Sequence, residues 1–193
     1  MAEKTEKVYF EAGEQTPAVP EDLKLKRKHH HPMTPVQLFL LNALIAVIAV
    51  WLMFGYIFGI TASPTGDMYP RIDSGDLLLY YRLDRDFKAQ DVVMLRKNNT
   101  EYIGRIVAAG GDTVEITDDE HLIINGNTMI ERGIFESTPR YKGFVDYPLT
   151  LPENTYFVLV DKRDGGEDSR YYGPVKLDEI LGTVITIVRR TNL

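Results

Sequence analysis

His121-Leu122-Ile123-Ile124-Asn125-Gly126 carries the clearest local signal in the chain. A β-branched apolar run ends in Asn-Gly, the pair best suited to a type I′ turn because both central residues need positive φ. A hairpin is expected here. The same pattern repeats on either side. Towards the amino terminus, Leu77-Leu78-Leu79-Tyr80-Tyr81 follows a Gly75-Asp76 turn, and Val92-Val93-Met94-Leu95 follows Asp91. Tyr102 to Val107 is a further β-branched run, and Val114-Glu115-Ile116-Thr117 alternates. Towards the carboxyl terminus come Tyr156-Phe157-Val158-Leu159-Val160 and Thr183-Val184-Ile185-Thr186-Ile187-Val188. Only Lys176 to Ile180 reads as a helical turn. Short strands divided by Gly, Asp and Asn turns predict a mainly β domain over residues 62–193, arranged as a barrel or sandwich. There is no internal repeat.

Ahead of this domain lies a membrane-length apolar segment. No charged residue occurs from Met33 to Gly66, and the apolar core runs from Val36 to Ile60. At a rise of about 1.5 Å per residue a helix of that length covers roughly 37 Å, against about 30 Å of bilayer hydrocarbon. One transmembrane helix is expected over residues 33–61. Trp51, Phe54, Tyr56 and Phe58 gather at its far end, as an interfacial aromatic belt does. Lys24, Lys26, Arg27 and Lys28 precede it closely, and Asp67 is the first charge after it. The positive-inside rule therefore places the amino terminus in the cytoplasm and the β domain outside the cell membrane.

Residues 1–32 carry few large apolar groups and are expected to be a disordered cytoplasmic tail. Its basic run suits anionic lipid. His29-His30-His31 reads as a solvated run beside that flank rather than a metal site, because three adjacent histidines cannot easily share one closed site. The net charge of -6 argues against a nucleic-acid binder. The absence of cysteine excludes disulfides, thiolate metal sites and a cysteine nucleophile. No cofactor is expected.

Several stretches resemble, in order and spacing, the type I signal peptidase family. Gly66-Asp67-Met68-Tyr69-Pro70 is similar to its G-S-M-x-P box, and Ser74-Gly75-Asp76-Leu77-Leu78-Leu79 to its G-D-x-V-L strand. Asp91-Val92-Val93-Met94 resembles G-D-I-V-V-F. Tyr102 to Val114 resembles Y-V-K-R-V-I-G-L-P-G-D-x-V, and Leu122 to Gly126 resembles L-x-I-N-G. Val160-Asp161-Lys162-Arg163-Asp164-Gly165-Gly166-Glu167-Asp168-Ser169-Arg170 resembles G-D-N-R-x-N-S-x-D-S-R. The likeness extends from Val36 onward and implies a signal-peptidase-like β domain.

The departures fall at the positions that do the chemistry. The resemblance implies a serine nucleophile and a lysine base. Asp67 stands at the serine position, Gly104 at the lysine position, and Gly166 where a serine steadies the lysine amine. Thr65 alone keeps the hydroxyl that helps hold the oxyanion. Glycine cannot accept a proton. A carboxylate is a poor nucleophile towards an amide, and its charge repels the developing oxyanion. Taken alone, Asp67 suits a turn and Gly104 a β-bulge; the flanking boxes favour a dismantled site. An Asp67–Asp112 acid–base pair is disfavoured, because the family's G-D aspartate belongs to a strand turn.

The chain is therefore expected to have no catalytic residues. Thr65, Gly66, Asp67, Met68, Tyr69, Pro70, Gly104 and Arg105 are expected to form a cleft that holds an extended segment by strand addition. Asp161, Asp168, Ser169 and Arg170 are expected to be structural. The pattern closely resembles the signal-peptidase-like factors of Gram-positive, especially streptococcal, pilus assembly. It implies an accessory or chaperone-like role in sortase-mediated polymerisation, with a pilin subunit or the pilus sortase as partner. An exposed groove no longer engaged with substrate also leaves a homodimer open. Two other readings stand beside this one: an active peptidase using unconventional residues, and a decoy that binds signal peptides.

Overall fold

The computed structural model describes residues 33–131, 133–134 and 136–189. The tail over residues 1–32, with His29-His30-His31, lies outside them. The chain divides into two compact units, Met1–Leu41 and Asn42–Leu193.

In the first unit, Thr34 and Gln37 start helix α1 (Pro35–Leu52). The Thr34 amide donates to Gln37 Oε1 at 2.9 Å and the Gln37 amide to Thr34 Oγ1 at 3.3 Å. This is a reciprocal capping box, with Pro35 preset for the first helical position. The helix buries none of its residues.

In the second unit, α1 runs into a π-helical turn, Met53–Ile57. Together Pro35–Ile57 form a 23-residue helix long and apolar enough to cross a bilayer. The helix stops short of the limit expected at residue 61. Phe58–Ala62 is strand β1, paired antiparallel with β2 (Leu77–Tyr81) from Phe58↔Tyr81 to Ala62↔Leu77. The Arg82 amide donates to Ile57 O at 2.9 Å, extending the hydrogen bonding up to the last helical residue. Apolar continuity concealed the change of structure: Phe-Gly-Ile-Thr suits a strand once a partner ladder supplies its hydrogen bonds.

The remaining strands are β3 (Val92–Lys97), β4 (Thr100–Ala109), β5 (Thr113–Ile116), β6 (Leu122–Ile124), β7 (Asn127–Thr128), β8 (Leu149–Thr150), β9 (Thr155–Leu159), β10 (Val175–Lys176) and β11 (Ile180–Val188). They form two antiparallel sheets. The larger has the order β1-β2-β11-β3-β4-β9-β10 and the smaller β7-β6-β5-β8. Asn125 and Gly126 both take positive φ, 51° and 78°, so the expected hairpin turn is present between β6 and β7. The turn expected at 176–180 is a 3-10 turn, Leu177–Glu179. The short helix α2 (Ser169–Tyr172) was not expected.

Three apolar clusters form the core. One joins Val114, Ile116 and Leu122 of the small sheet to Phe157 and Leu159 of β9. A second gathers Val93, Leu95, Ile106 and Val158. The third holds Met68, Ile72, Leu78, Met94, Ile103 and Val160, and lies beneath the loop that follows β1.

Two tyrosines are tied into this core by burial. Tyr172 packs on Tyr102 with ring centroids 5.0 Å apart, and burial pushes its hydroxyl pKa well above the ordinary value. Tyr147 is edge-on to Phe157, its hydroxyl is buried without a hydrogen-bond partner, and burial likewise pushes its pKa up. In the unfolded chain a tyrosine ionises near pH 10. The stability these groups contribute is therefore complete below about pH 10 and is lost as the pH rises towards their higher folded values. Tyrosinate absorbance during alkaline titration is expected to rise in two stages, the second coinciding with unfolding. A single stage covering all 11 tyrosines, with the fold intact, would contradict this.

Candidate functional site

The loop between β1 and β2 is closed at its base and plugged from within. The Ser63 amide donates to Asp76 O at 2.7 Å and the Gly75 amide to Ser63 O at 3.1 Å. Between these ties the chain makes a helical turn, with the Arg71 and Ile72 amides donating to Met68 O at 3.1 Å. Met68 and Ile72 point inward and are fully buried. Helical periodicity then leaves Asp67 and Tyr69 on the outer side.

A second segment meets this loop. The Lys162 amide donates to Asp67 O at 2.8 Å, and the Asp161 amide donates to Met68 Sδ at 3.3 Å. Arg105, on β4, forks onto the Asp161 carboxylate through Nε at 2.8 Å and Nη2 at 2.6 Å, and its Nη1 donates to Gln90 O at 2.9 Å. Both side chains of the pair are buried. A planar guanidinium meeting a carboxylate in this bidentate way fixes position as well as charge.

The three altered positions converge on residues 158–162. Gly104 pairs with Val93 in the β3–β4 ladder and is buried. A Cβ there would lie 2.6 Å from Val158 Cγ1 and 3.1 Å from Leu159 O. A Cβ on Gly166 would lie 2.4 Å from Val160 Cγ2 and 3.1 Å from Lys162 O. Asp67 reaches the same segment through its carbonyl, as above. Asp112 takes no part: its Oδ2 accepts from the Ala109 amide and its Oδ1 from Asn125 Nδ2, both at 2.8 Å.

Outside this junction is an open cleft of about 790 Å³. Gly66, Asp67, Tyr69 and Pro70 line it from one side, Asp161 and Lys162 from the other, with Asp73, Gly133 and Glu136 completing the wall. Carboxylates outnumber the single lysine. The expected lining thus needs correction. Met68, Gly104 and Arg105 are buried and lie outside that lining, because the residues that hold the two segments together face inward. Thr65 is exposed, lies outside the lining, and its carbonyl accepts from the Ser63 hydroxyl at 2.8 Å.

The loop after β9 is held by buried charge. Asp168 caps α2 by accepting from the Arg170 amide at 3.0 Å, and also accepts from the Val160 amide at 3.1 Å. The Arg170 guanidinium donates to both Asp168 oxygens and lies over the Tyr141 ring at 4.4 Å. Burial works against the Arg170 cation, but the hydrogen bonds and charge of Asp168 outweigh it and raise its pKa. Ser169 Oγ accepts from the Val158 amide at 3.0 Å. These residues position the strand end that Gly104 and Gly166 pack against.

The sequence pattern left some contributors unnoticed. Arg163 is fully buried, donating to Val160 O at 2.7 Å, to Thr138 Oγ1 at 2.8 Å and to Glu131 Oε1 at 2.7 Å. This draws the segment after β7 alongside the cleft, where Glu136 joins the lining. That segment has no strand periodicity, so only contacts distant in sequence reveal its place. Val158 likewise carries only a strand signal in the sequence.

The family model described as signal peptidase, peptidase S26 matches residues 36–189. Signal peptidase I S of Bacillus subtilis is 32% identical over 136 residues, covering 65% of this chain and 73% of that protein. Signal peptidase I of Pseudomonas fluorescens is 29% identical over 164 residues, covering 63% of this chain and 58% of the relative, so the chain spans little more than half of its length. A crystal structure of a signal peptidase I from Enterococcus faecalis is 30% identical, with a TM-score of 0.42, and covers 52% of this chain and 97% of that one. With the family model matching all but the first residues and the extreme end, the chain belongs to the signal peptidase, peptidase S26, family.

Proposed function

We propose that this chain is a non-catalytic member of its family: a membrane-anchored accessory, or chaperone-like, factor that binds a pilin subunit or the pilus sortase during sortase-mediated pilus polymerisation. The helix Pro35–Ile57 is the anchor, with the amino terminus cytoplasmic and the β domain outside. One observation carries the reading. Gly104 stands at the family's lysine position, and a side chain there would run into Val158 Cγ1 at 2.6 Å. A base is therefore absent and its space is filled. Asp67, at the serine position, lines an open cleft in which carboxylates predominate. Charge of that sign opposes an oxyanion, yet it does not hinder an extended segment held through backbone hydrogen bonds.

Deletion of the gene is expected to abolish pilus polymerisation. Fibres of normal length and amount in the deletion strain would refute the role.

Similarity to proteins named signal peptidase I favours a second reading, cleavage of signal sequences. The full chain in detergent, incubated with a preprotein, separates the two. No cleavage is expected; cleavage that is lost on Asp67→Ala would establish an unconventional peptidase.

A further inference from the structure

The geometry points to Val158 and Val160 as the residues that seal the former reaction centre, each locked in a size exchange with a glycine: Val158 with Gly104, and Val160 with Gly166. The inference deepens the non-catalytic reading and rests on it for its functional meaning. It is carried by packing alone.

Both valines are fully buried. Val158 belongs to the cluster of Val93, Leu95 and Ile106, on the side of the sheet to which Gly104 contributes no side chain. Val160 belongs to the cluster of Met68, Ile72 and Met94. Contacts of 2.6 Å and 2.4 Å to an added Cβ are far inside van der Waals separation, and in each case the added Cβ also lies 3.1 Å from a backbone carbonyl oxygen, of Leu159 and of Lys162 respectively. Valine has few rotamers with which to retreat. Its backbone is also pinned: the Val158 amide donates to Ser169 Oγ and the Val160 amide to Asp168 Oδ2. The new side chain therefore cannot be accommodated by moving the strand without breaking the buried loop.

For the second pair the motif shows the exchange as well. Val160 stands where the resembling box has glycine, and Gly166 where it has serine. Bulk has moved from one side of the junction to the other, leaving the close packing of an ordinary core. Putting lysine back at position 104 and serine at position 166 thus inserts atoms into filled space.

Two double-mutant cycles on the full chain in detergent micelles test this, read by thermal unfolding. Gly104→Ala is expected to lower Tm by roughly 5 °C, the scale of overpacking in a domain of this size. In a Val158→Ala background the same change is expected to cost less than half as much, or to raise Tm, because the added methyl enters the vacated space. Gly166→Ala and Val160→Ala should couple in the same way, while the crossed pairs, 104 with 160 and 166 with 158, should couple less. If Gly104→Ala or Gly166→Ala yields no folded protein, folding restored by its own valine partner supports the exchange. Folding not restored, with the valine variant itself folded, overturns it. Equal Tm losses in both backgrounds also overturn it. Cleavage of a preprotein by the unaltered chain would remove the non-catalytic reading but leave these couplings unchanged, so the two failures are distinguishable.

Discussion

Asp168→Ala is expected to cost about 3–5 kcal/mol of stability, the scale of a buried ion pair broken on one side. The carboxylate has no exposure to solvent and serves three groups at once. It accepts from the Val160 amide at 3.1 Å, from the Arg170 amide at 3.0 Å, and from the Arg170 guanidinium at 2.9 and 2.8 Å. Its removal strands an Arg170 cation that is itself fully buried, leaving it, among the described residues, the Pro139 carbonyl at 3.3 Å and the Tyr141 ring as polar neighbours. It also uncaps α2 and frees the end of β9. Asp168→Asn keeps a capping oxygen but not the charge, so it should fall between the wild type and the alanine variant. Denaturant titration of the full chain measures this. A loss under about 1 kcal/mol for Asp168→Ala would mean that water or another group reaches the site.

Asp161→Ala is the second large effect, and it differs in what it does to the cleft. Arg105 is 5% exposed and would keep only its bond to Gln90 O. The expected loss is again about 3–5 kcal/mol, mostly the cost of an uncompensated buried cation. Replacing both partners, Arg105→Leu with Asp161→Leu, is expected to recover much of that loss, because apolar side chains need no counter-charge. By contrast, the Arg96–Glu101 pair is about half exposed, and its removal should change stability by only about 0–1 kcal/mol. Equal effects at the buried and exposed pairs would mean that burial is not the deciding factor. Asp161 also abuts the loop carrying Asp67, since its amide meets Met68 Sδ and the next amide meets Asp67 O. Binding of a partner segment is therefore expected to weaken alongside stability, whereas Asp67→Ala should alter binding with little change in unfolding.

Local signals sufficed for much of the architecture. Each apolar, β-branched run from Leu77 to Val188 became a strand, because period-two alternation and Gly, Asp and Asn punctuation act over a few residues. The family boxes singled out Asp67, Gly104 and Gly166, and each of these meets the segment 158–162. Two errors share a cause. Phe58–Ala62 looked like the end of a membrane helix, since its apolar side chains suit either state, and only pairing with Leu77–Tyr81 chose the strand. Gly104 and Arg105 were expected in the cleft, yet they are buried outside its lining, because facing depends on which segment packs above.

From the sequence alone came the apolar length that fits a bilayer, the β pattern, and the chemical identity of the changed residues: no hydroxyl at 67 and no amine at 104. These are properties of composition and short-range spacing. Only the tertiary structure decided that no room remains for a side chain at 104 or 166, that Arg163 and Arg170 are buried with carboxylate partners, and that Glu136 from a pattern-free segment shares a cleft with Asp67. Steric exclusion and ion pairing act between atoms that are adjacent in space and distant along the chain, so no window of sequence contains them.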